Sequence, residues 1–246
     1  MLNTAVIPKM ILLAEVDSTN NYTAKLLSEQ KLTHGTVILA EKQTAGRGQR
    51  GNTWTSRKNQ FTGSFFTETA FLSATRLPYL NFAVALAVRS AVSELSGEKA
   101  AIKWPNDILV NDRKIAGILI EAQWLGAEMK GAIVGIGLNL LKEEGMEKAA
   151  FMEDFRETPV SAPETALVIW KYLSENIELL RMGSFKAISE KYHSFLWRIN
   201  VDQAAVLADE TEITGRIKGV NDEGNLLFES GEKELSFGIQ EIRFFY

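Results

Sequence analysis

The first 141 residues contain several short apolar runs, separated by polar residues, and one long apolar segment. The short runs predict β-strands at 9–16, 36–43 and 60–71. The long segment, 77–95, is apolar nearly all round and rich in alanine, which predicts a helix buried against a sheet. Ser18 stands just before an amphipathic stretch and is predicted to cap a helix over 19–30.

Three further strands are predicted after the buried helix, in the segments AAIKW, KIAGILIEAQW and KGAIVGIGLNLL. The second of these strands follows Asn111-Asp112, a pair that favours a hairpin turn. Beyond residue 141 the spacing becomes helical. Ser161 and Glu164 form a capping box for one helix, Gly183 marks its end, and a second helix is predicted over 184–196.

From Val201 onward the chain has short strands with turns at 221–225 and 230–233, which predict a small β-barrel of about 45 residues. We therefore expect two domains, 1–198 and 199–246. Strands and helices are grouped rather than alternating, which indicates an α+β fold and not a βαβ winding. The expected main domain is a mixed, largely antiparallel sheet flanked by helices.

Composition narrows the classes of function. The 246 residues carry a net charge of −4, so a general nucleic-acid binder, which needs a surplus of Lys and Arg, is disfavoured. Without cysteine the chain has neither disulfides nor a catalytic thiolate. The N-terminal residues show no signal-peptide pattern and no apolar run approaches 18 residues, so we expect a cytoplasmic protein that does not enter a membrane.

The segment TAGRGQRGN, residues 44–52, contains the spacing G-x-G-x-x-G of a dinucleotide-binding turn. That turn must open a helix, and the residues that follow have no helical period. The segment 44–52 also lacks the Gly-Lys-Ser/Thr sequence that ends a phosphate-binding Walker loop. Two interpretations stay open here: a mobile glycine-rich surface loop, or a lid in which Arg47 and Arg50 bind an anion and Trp54 stacks on a base.

A second group of candidates lies in IKWPNDILV, residues 102–110. Lys103 ends a predicted strand, and Asn106 and Asp107 supply oxygens of the kind that Mg²⁺ accepts. A lone lysine at a strand end is usually only solvated. Glycines within the next strands indicate either the close approach of another group or simple strand packing; they are Gly117, Gly135 and Gly137.

The segments DSTN, QTAGRGQRGNTW, KWPND, RKIAGILIE and GIGLN occur in the order and spacing of the biotin protein ligase family, which the chain resembles over nearly its whole length. The resemblance implies a fold of the class II synthetase and biotin/lipoate ligase type with a C-terminal SH3-like barrel. It also implies a two-step reaction. Biotin and ATP, with Mg²⁺, give biotinyl-5′-AMP, and a lysine of a carboxylase's biotin carboxyl carrier domain then takes the biotin as an amide.

The resemblance also assigns roles by matching motif. Arg47 and Lys103 are expected to be catalytic, and Asp107 is expected to contact Mg²⁺. The expected biotin-binding residues are Ser18, Thr19, Asn20, Gln43, Arg47, Gly48, Gln49, Lys103 and Gly117. The expected ATP- and adenylate-binding residues are Arg47, Arg50, Trp54, Asn106, Lys114 and Asn139. One position departs from the pattern: some members carry Arg where this chain has Gln49, so a cation cannot help retain the intermediate there.

The resemblance further implies the short form of the ligase, without a DNA-binding domain before DSTN, and therefore no DNA partner. The expected partner is the carrier domain of acetyl-CoA carboxylase or a related carboxylase, and a homodimer is a further expectation. Three alternatives stay open: a lipoate or octanoate ligase of the same broad fold, a non-catalytic biotin or nucleotide sensor, and a transcriptional repressor.

Overall fold

A computed structural model describes residues 7–49, 54, 60–126 and 128–244. Its main feature is a seven-stranded sheet in the order β1-β2-β3-β7-β6-β5-β4, in which β1 and β2 are parallel and all other neighbours are antiparallel. The expectation of a mixed, largely antiparallel sheet is confirmed. The strands are β1 (Lys9–Val16), β2 (Thr36–Gln43), β3 (Phe61–Thr67), β4 (Ala100–Lys103), β5 (Asp107–Val110), β6 (Arg113–Leu125) and β7 (Glu128–Leu138).

Four helices accompany the sheet: α1 (Thr19–Ser28), α2 (Leu77–Ser96), α3 (Ala162–Arg181) and α4 (Phe185–Ser194). Helix α1 covers one face, where Asn20 hydrogen-bonds to Ser64 of β3. Phe65, the next residue of β3, points to the opposite face, and its ring stacks on Trp170 of α3 with centroids 6.5 Å apart. Because α2 packs on α3, the large apolar core lies on the α3 side and the α1 side is left for polar groups.

The predicted helix ends are partly confirmed. The Ser161 hydroxyl accepts a hydrogen bond from the Glu164 amide at the start of α3, and Gly183 follows the end of that helix with φ of +77°. Ser18 occupies the position before α1, but its side chain makes no capping hydrogen bond. Ser18 therefore has the predicted position before the helix, but the predicted capping hydrogen bond is absent. Its side chain lines the cavity described below instead.

The segment Asp107–Val110 is a strand of its own, which the apolar pattern had not separated from the turn that follows it. Asn111 and Asp112 have φ values of +50° and +57°, as a two-residue hairpin turn requires, so the predicted turn is confirmed. The hairpin joins β5, which begins with Asp107, to β6, which carries Lys114, and Lys103 of β4 pairs with Asp107. Their side chains are thereby brought to one end of the sheet.

A second sheet follows, in the order β11-β10-β9-β8-β12. Among the described residues, no pairing joins its outer strands, so the hydrogen bonds do not close it into the predicted barrel. Its turn at 221–225 contacts α2 and the end of β4: Tyr79 of α2 donates to Asp222 over 2.7 Å, and the indole of Trp104, just after β4, donates to the Gly224 carbonyl over 3.0 Å. The strands are β8 (Asp202–Leu207), β9 (Glu212–Val220), β10 (Leu226–Ser230), β11 (Lys233–Phe237) and β12 (Ile242–Arg243).

None of the helices in the described parts of the chain is both long enough and apolar enough to cross a membrane.

Candidate active site

A cavity of about 160 Å³ lies on the α1 face of the seven-stranded sheet. It opens where β1 and β2 end and is floored by the middle of β6 and β7. Most of the residues predicted for the site line it, although they come from four separate motifs of the chain. The predicted residues on its wall are Ser18, Thr19, Asn20, Gln43, Arg47, Gly48, Gln49, Trp54, Asn106, Asp107, Lys114 and Gly117.

One side of the cavity is a neutral hydrogen-bonded network at the start of α1. The Gln43 carbonyl oxygen accepts from the Thr19 amide at 2.8 Å and lies 3.1 Å from the Thr19 hydroxyl. The Ser64 hydroxyl donates to Asn20 Oδ1 over 2.6 Å, and its oxygen lies 2.7 Å from Thr19 Oγ1. Thr19, Asn20 and Ser64 are all buried, so these bonds satisfy groups that would be costly to leave unpaired.

Two glycines of β7 make room for the side chains that line the cavity. A Cβ on Gly135 would lie 2.4 Å from Asn20 Oδ1, and a Cβ on Gly137 would lie 2.0 Å from the Trp54 indole. Neither position could carry a side chain without displacing its neighbour. Of the two interpretations left open for these glycines, close approach of another group is the one the structure supports.

The Trp54 indole lies across the floor of the cavity. It covers Gly137 and comes within 3.0 Å of the place that a Cβ on Gly117 would occupy. Its Nε1 is buried and finds no acceptor among the residues that the structure describes. Lys114 Nζ lies 5.7 Å from the ring centroid, within the range of a cation–π contact.

Another part of the cavity wall is ionic. Lys114 Nζ lies 2.7 Å from Asp107 Oδ1, and Lys103 is the cross-strand partner of Asp107. Burial lowers the pKa of Lys103; the Asp107 carboxylate opposes that shift and the Lys114 ammonium adds to it. Lys103 is therefore close to two residues that line the cavity, although it does not line the cavity itself.

Arg47 lines the cavity from the loop that follows β2. Its Nη2 lies 2.9 Å from each carboxylate oxygen of Glu121, a residue of β6. Glu121 Oε2 also accepts a hydrogen bond of 2.7 Å from Asn20 Nδ2. Glu121 thus joins the loop to the neutral network. It was not among the predicted site residues, although its place two and four residues after Leu119 and Gly117 puts it on the same face of β6.

Two of the predicted nucleotide-binding residues are engaged elsewhere, and a third cannot be placed. Asn139 is buried outside the cavity, where its amide donates to the Ala150 carbonyl over 3.1 Å. Asn106 lines the cavity, but its amide donates to the Ile118 carbonyl over 2.8 Å. Arg50 and Gly51 lie outside the described residues. The roles expected for all of these residues stay predictions.

A magnesium ion would find few protein ligands at this site. The described residues include no group of three or more His, Cys, Asp or Glu side chains with the spacing of a metal site. Asp107 is already paired with Lys114, so its oxygen would have to be released before it could contact a cation. The residues present fit a magnesium ion that arrives with the phosphates of a nucleotide, a common arrangement for Mg²⁺ in proteins.

The sequence profile of the Biotin/lipoate A/B protein ligase family matches residues 12–139, just over half of the chain. The chain belongs to this family. The matched range runs from within β1 to just past the end of β7 and contains every predicted site residue. The match therefore covers most of the sheet that builds the cavity, whereas the second sheet lies beyond it.

Individual relatives extend the similarity over the whole chain. The Bifunctional ligase/repressor BirA of Bacillus subtilis is 27% identical over 98% of this chain and 74% of that protein. The Biotin--[acetyl-CoA-carboxylase] ligase of Paracoccus denitrificans is 38% identical over 61% of each. The structure of the biotin protein ligase from Aquifex aeolicus in complex with biotin and ATP matches with a TM-score of 0.79, 27% identity, and 96% and 99% of the two chains covered.

Proposed function

We propose that this chain is a biotin protein ligase. It activates biotin with ATP to biotinyl-5′-AMP and transfers biotin to a lysine of a carboxylase's carrier domain. The observation that carries the proposal is a single cavity in which a neutral, hydrogen-bonding side meets a cationic side. The Aquifex relative, which binds biotin and ATP, supports it, because its fold matches 96% of this chain.

The neutral side is suited to the ureido ring of biotin. That ring is uncharged and presents both hydrogen-bond donors and an acceptor, and Ser18, Thr19, Asn20 and Gln43 supply the complementary groups. Thr19 and Gln43 hold each other and Asn20 is held by Ser64, so the ring would meet side chains that are already oriented. A pocket ordered in advance loses little conformational entropy when the ligand arrives.

The cationic side is suited to the chemical step. The carboxylate of biotin itself attacks the α-phosphate of ATP and displaces pyrophosphate, so the protein needs no nucleophile of its own. Two like charges about 4 Å apart repel by roughly 4 kcal/mol at an effective dielectric of 20. Lys103, Lys114 and Arg47 would offset that repulsion and neutralise the charge that develops on phosphate oxygens. Asp107 would be the residue that holds a magnesium ion brought in by ATP, and such an ion would neutralise charge on the phosphate oxygens.

The loop that carries Arg47 would cover the mixed anhydride and keep water away from it. Gln49 lines the cavity beside Gly48. Its neutral amide would bind a phosphate more weakly than the guanidinium of an arginine at the same position. We infer that retention of the adenylate rests on Arg47 and on the glycines of the loop. Substitution of Gly48 by Ala would then raise leakage of biotinyl-5′-AMP into solution.

Other parts of the proposal rest on the sequence alone. A division at 198/199, a closed SH3-like form of the second sheet and a cytoplasmic location stay predictions. A homodimer also stays a prediction, for which the exposed edge of β1, with Leu12 65% exposed, offers one surface. The expected acceptor is the carrier domain of acetyl-CoA carboxylase or a related carboxylase.

Incubation with MgATP, a biotin carboxyl carrier domain and one of three acids tests the proposal. We expect intact-mass spectrometry to show one biotinyl group on the carrier lysine when biotin is supplied, and no adduct with lipoate or octanoate. An adduct with lipoate or octanoate in place of biotin would assign the chain to the lipoate branch of the same family. Binding of biotin without biotin-dependent ATP–pyrophosphate exchange would indicate a sensor.

A further inference from the structure

Glu121 connects two parts of the site that the chain holds far apart. Its carboxylate accepts from Arg47, 74 residues away, and from Asn20, 101 residues away. Both donors line the cavity, whereas Glu121 stands at the rim on β6. A rigid strand therefore holds one group from the loop and one group from the start of α1.

The contact with Asn20 fixes the orientation of its amide. Asn20 Oδ1 accepts from the Ser64 hydroxyl, and Nδ2 donates to Glu121. A reversed amide could still donate to the Ser64 oxygen, but its own oxygen would then face the Glu121 carboxylate, which has no hydrogen to donate. Asn20 is only 3% exposed, and an unpaired amide there would be costly. Glu121 thus helps to set which group Asn20 offers to the cavity.

The contact with Arg47 places the guanidinium while leaving donors free. Only Nη2 is engaged with Glu121, at 2.9 Å from both oxygens. The guanidinium has five N–H donors in a fixed fork, and those on Nη1 and Nε are not used in this contact. The side chains of the pair are partly exposed, Arg47 by 45% and Glu121 by 30%. The ion pair therefore contributes only a small stabilisation, which is enough to bias the position of a loop.

We propose that Glu121 is a positioning residue of the ligase, which aims Arg47 into the cavity and locks the Asn20 amide at the same time. This inference rests on the proposed function for its kinetic consequences, but not for its structural ones. Closure of the loop over the acyl phosphate is then coupled to the order of the biotin-binding network through one carboxylate. Glu121 acts through Arg47 and Asn20 and does not touch the reacting atoms.

Limited trypsin digestion tests the structural part without any assay of activity. Because Glu121 holds the Arg47 side chain, we expect trypsin to cut after Arg47 mainly when the loop has left Glu121. We expect Glu121→Gln to speed cleavage between Arg47 and Gly48 about threefold to tenfold, as followed by mass spectrometry. Glu128→Gln, which disturbs a surface pair with Lys130, is the matched control and leaves the rate unchanged. Equal cleavage in Glu121→Gln and the wild type overturns the proposal whatever the protein's activity.

Steady-state ATP–pyrophosphate exchange tests the kinetic part. Because a Gln side chain still accepts from Asn20, Glu121→Gln is expected to lower kcat about threefold to tenfold with the KM for biotin nearly unchanged. Glu121→Ala removes both contacts and raises that KM as well. The double variant Arg47→Ala/Glu121→Gln is expected to be no slower than Arg47→Ala.

The outcomes separate this inference from the proposed function. A wild-type protein without exchange activity contradicts the proposed function, while the cleavage assay still decides the role of Glu121. Faster exchange in Glu121→Gln would show that the carboxylate competes with the substrate for Arg47, and additive losses in the double variant would show that it acts elsewhere. Either result overturns the positioning role.

Discussion

The two sides of the cavity are built on different principles. At the start of α1 the side chains are buried, uncharged and hydrogen-bonded to one another. Around Arg47, Asp107 and Lys114 the side chains are charged, partly exposed and held in ion pairs. A buried neutral network costs energy to disturb, whereas a partly exposed ion pair is readily exchanged for another. One side is therefore suited to recognition, and the other to receiving and neutralising an incoming anion.

Removal of the Lys103 ammonium should give the largest effect, because it takes away a cation on the side where charge develops. We expect Lys103→Ala to lower biotin-dependent ATP–pyrophosphate exchange by about 10²–10³-fold, the usual cost of losing one group that stabilises developing charge. Circular dichroism should show an unchanged fold. Lys130→Ala, on an exposed pair, serves as the control. Near wild-type exchange would refute the assignment of Lys103.

The glycines of β7 allow the two sides to be disturbed separately. A methyl group at Gly135 would push on Asn20, and one at Gly137 would push on Trp54. Such overpacking costs about 1–3 kcal/mol, or roughly fivefold to 150-fold in an equilibrium constant. We expect Gly135→Ala to raise the KM for biotin and Gly137→Ala to raise the KM for ATP.

Steady-state kinetics with each substrate varied in turn distinguish these two effects, and each variant is the control for the other. If both substitutions changed both constants equally, the two sides would have to be treated as one unit. The difference between the neutral and the cationic side would then have no functional meaning.

The pH dependence should come from the cationic side. Burial lowers the pKa of Lys103 below its ordinary value of 10.5, so its ammonium is lost at a less alkaline pH than that of an exposed lysine. Exchange activity that needs this cation is expected to fall as pH rises through the lowered pKa, approaching about tenfold per pH unit. Lys103→Arg keeps its charge at these pH values, so its profile should lack this alkaline fall. An identical fall in that variant would assign the titration to another group.

The smallest effect concerns the support that the second sheet gives to the cationic side. Trp104 and Tyr79 each donate one hydrogen bond to the turn at 221–225, but only Trp104 is adjacent to Lys103. We expect Trp104→Phe and Tyr79→Phe each to lower the free energy of unfolding by about 1 kcal/mol in urea denaturation. Only Trp104→Phe should also slow exchange, by about twofold to threefold. Equal exchange rates in both variants would show that the hydrogen bond from Trp104 to this turn stabilises the fold but does not affect the reaction.

The sequence alone predicted those features that depend on neighbouring residues. The strands before residue 44, the buried helix α2, the Ser161 cap and the turn at Asn111-Asp112 all follow from local periodicity or from the backbone preference of a few residues. The glycines of β7 were noticed for the same reason, since glycine within a strand is unfavourable unless something approaches it closely. Recognition of five motifs in order supplied the family and most of the cavity wall.

The tertiary structure decided everything that depends on which distant segments meet. Neither periodicity nor motif order shows that Glu121 binds both Arg47 and Asn20, that Ser18 faces a cavity instead of capping its helix, or that the amide of Asn139 is used by a neighbouring carbonyl. These contacts depend on the order and register of seven strands, which arise from packing over the whole chain. A local pattern determines how a segment folds, whereas only the assembled sheet determines which side chains share a charge or a hydrogen bond.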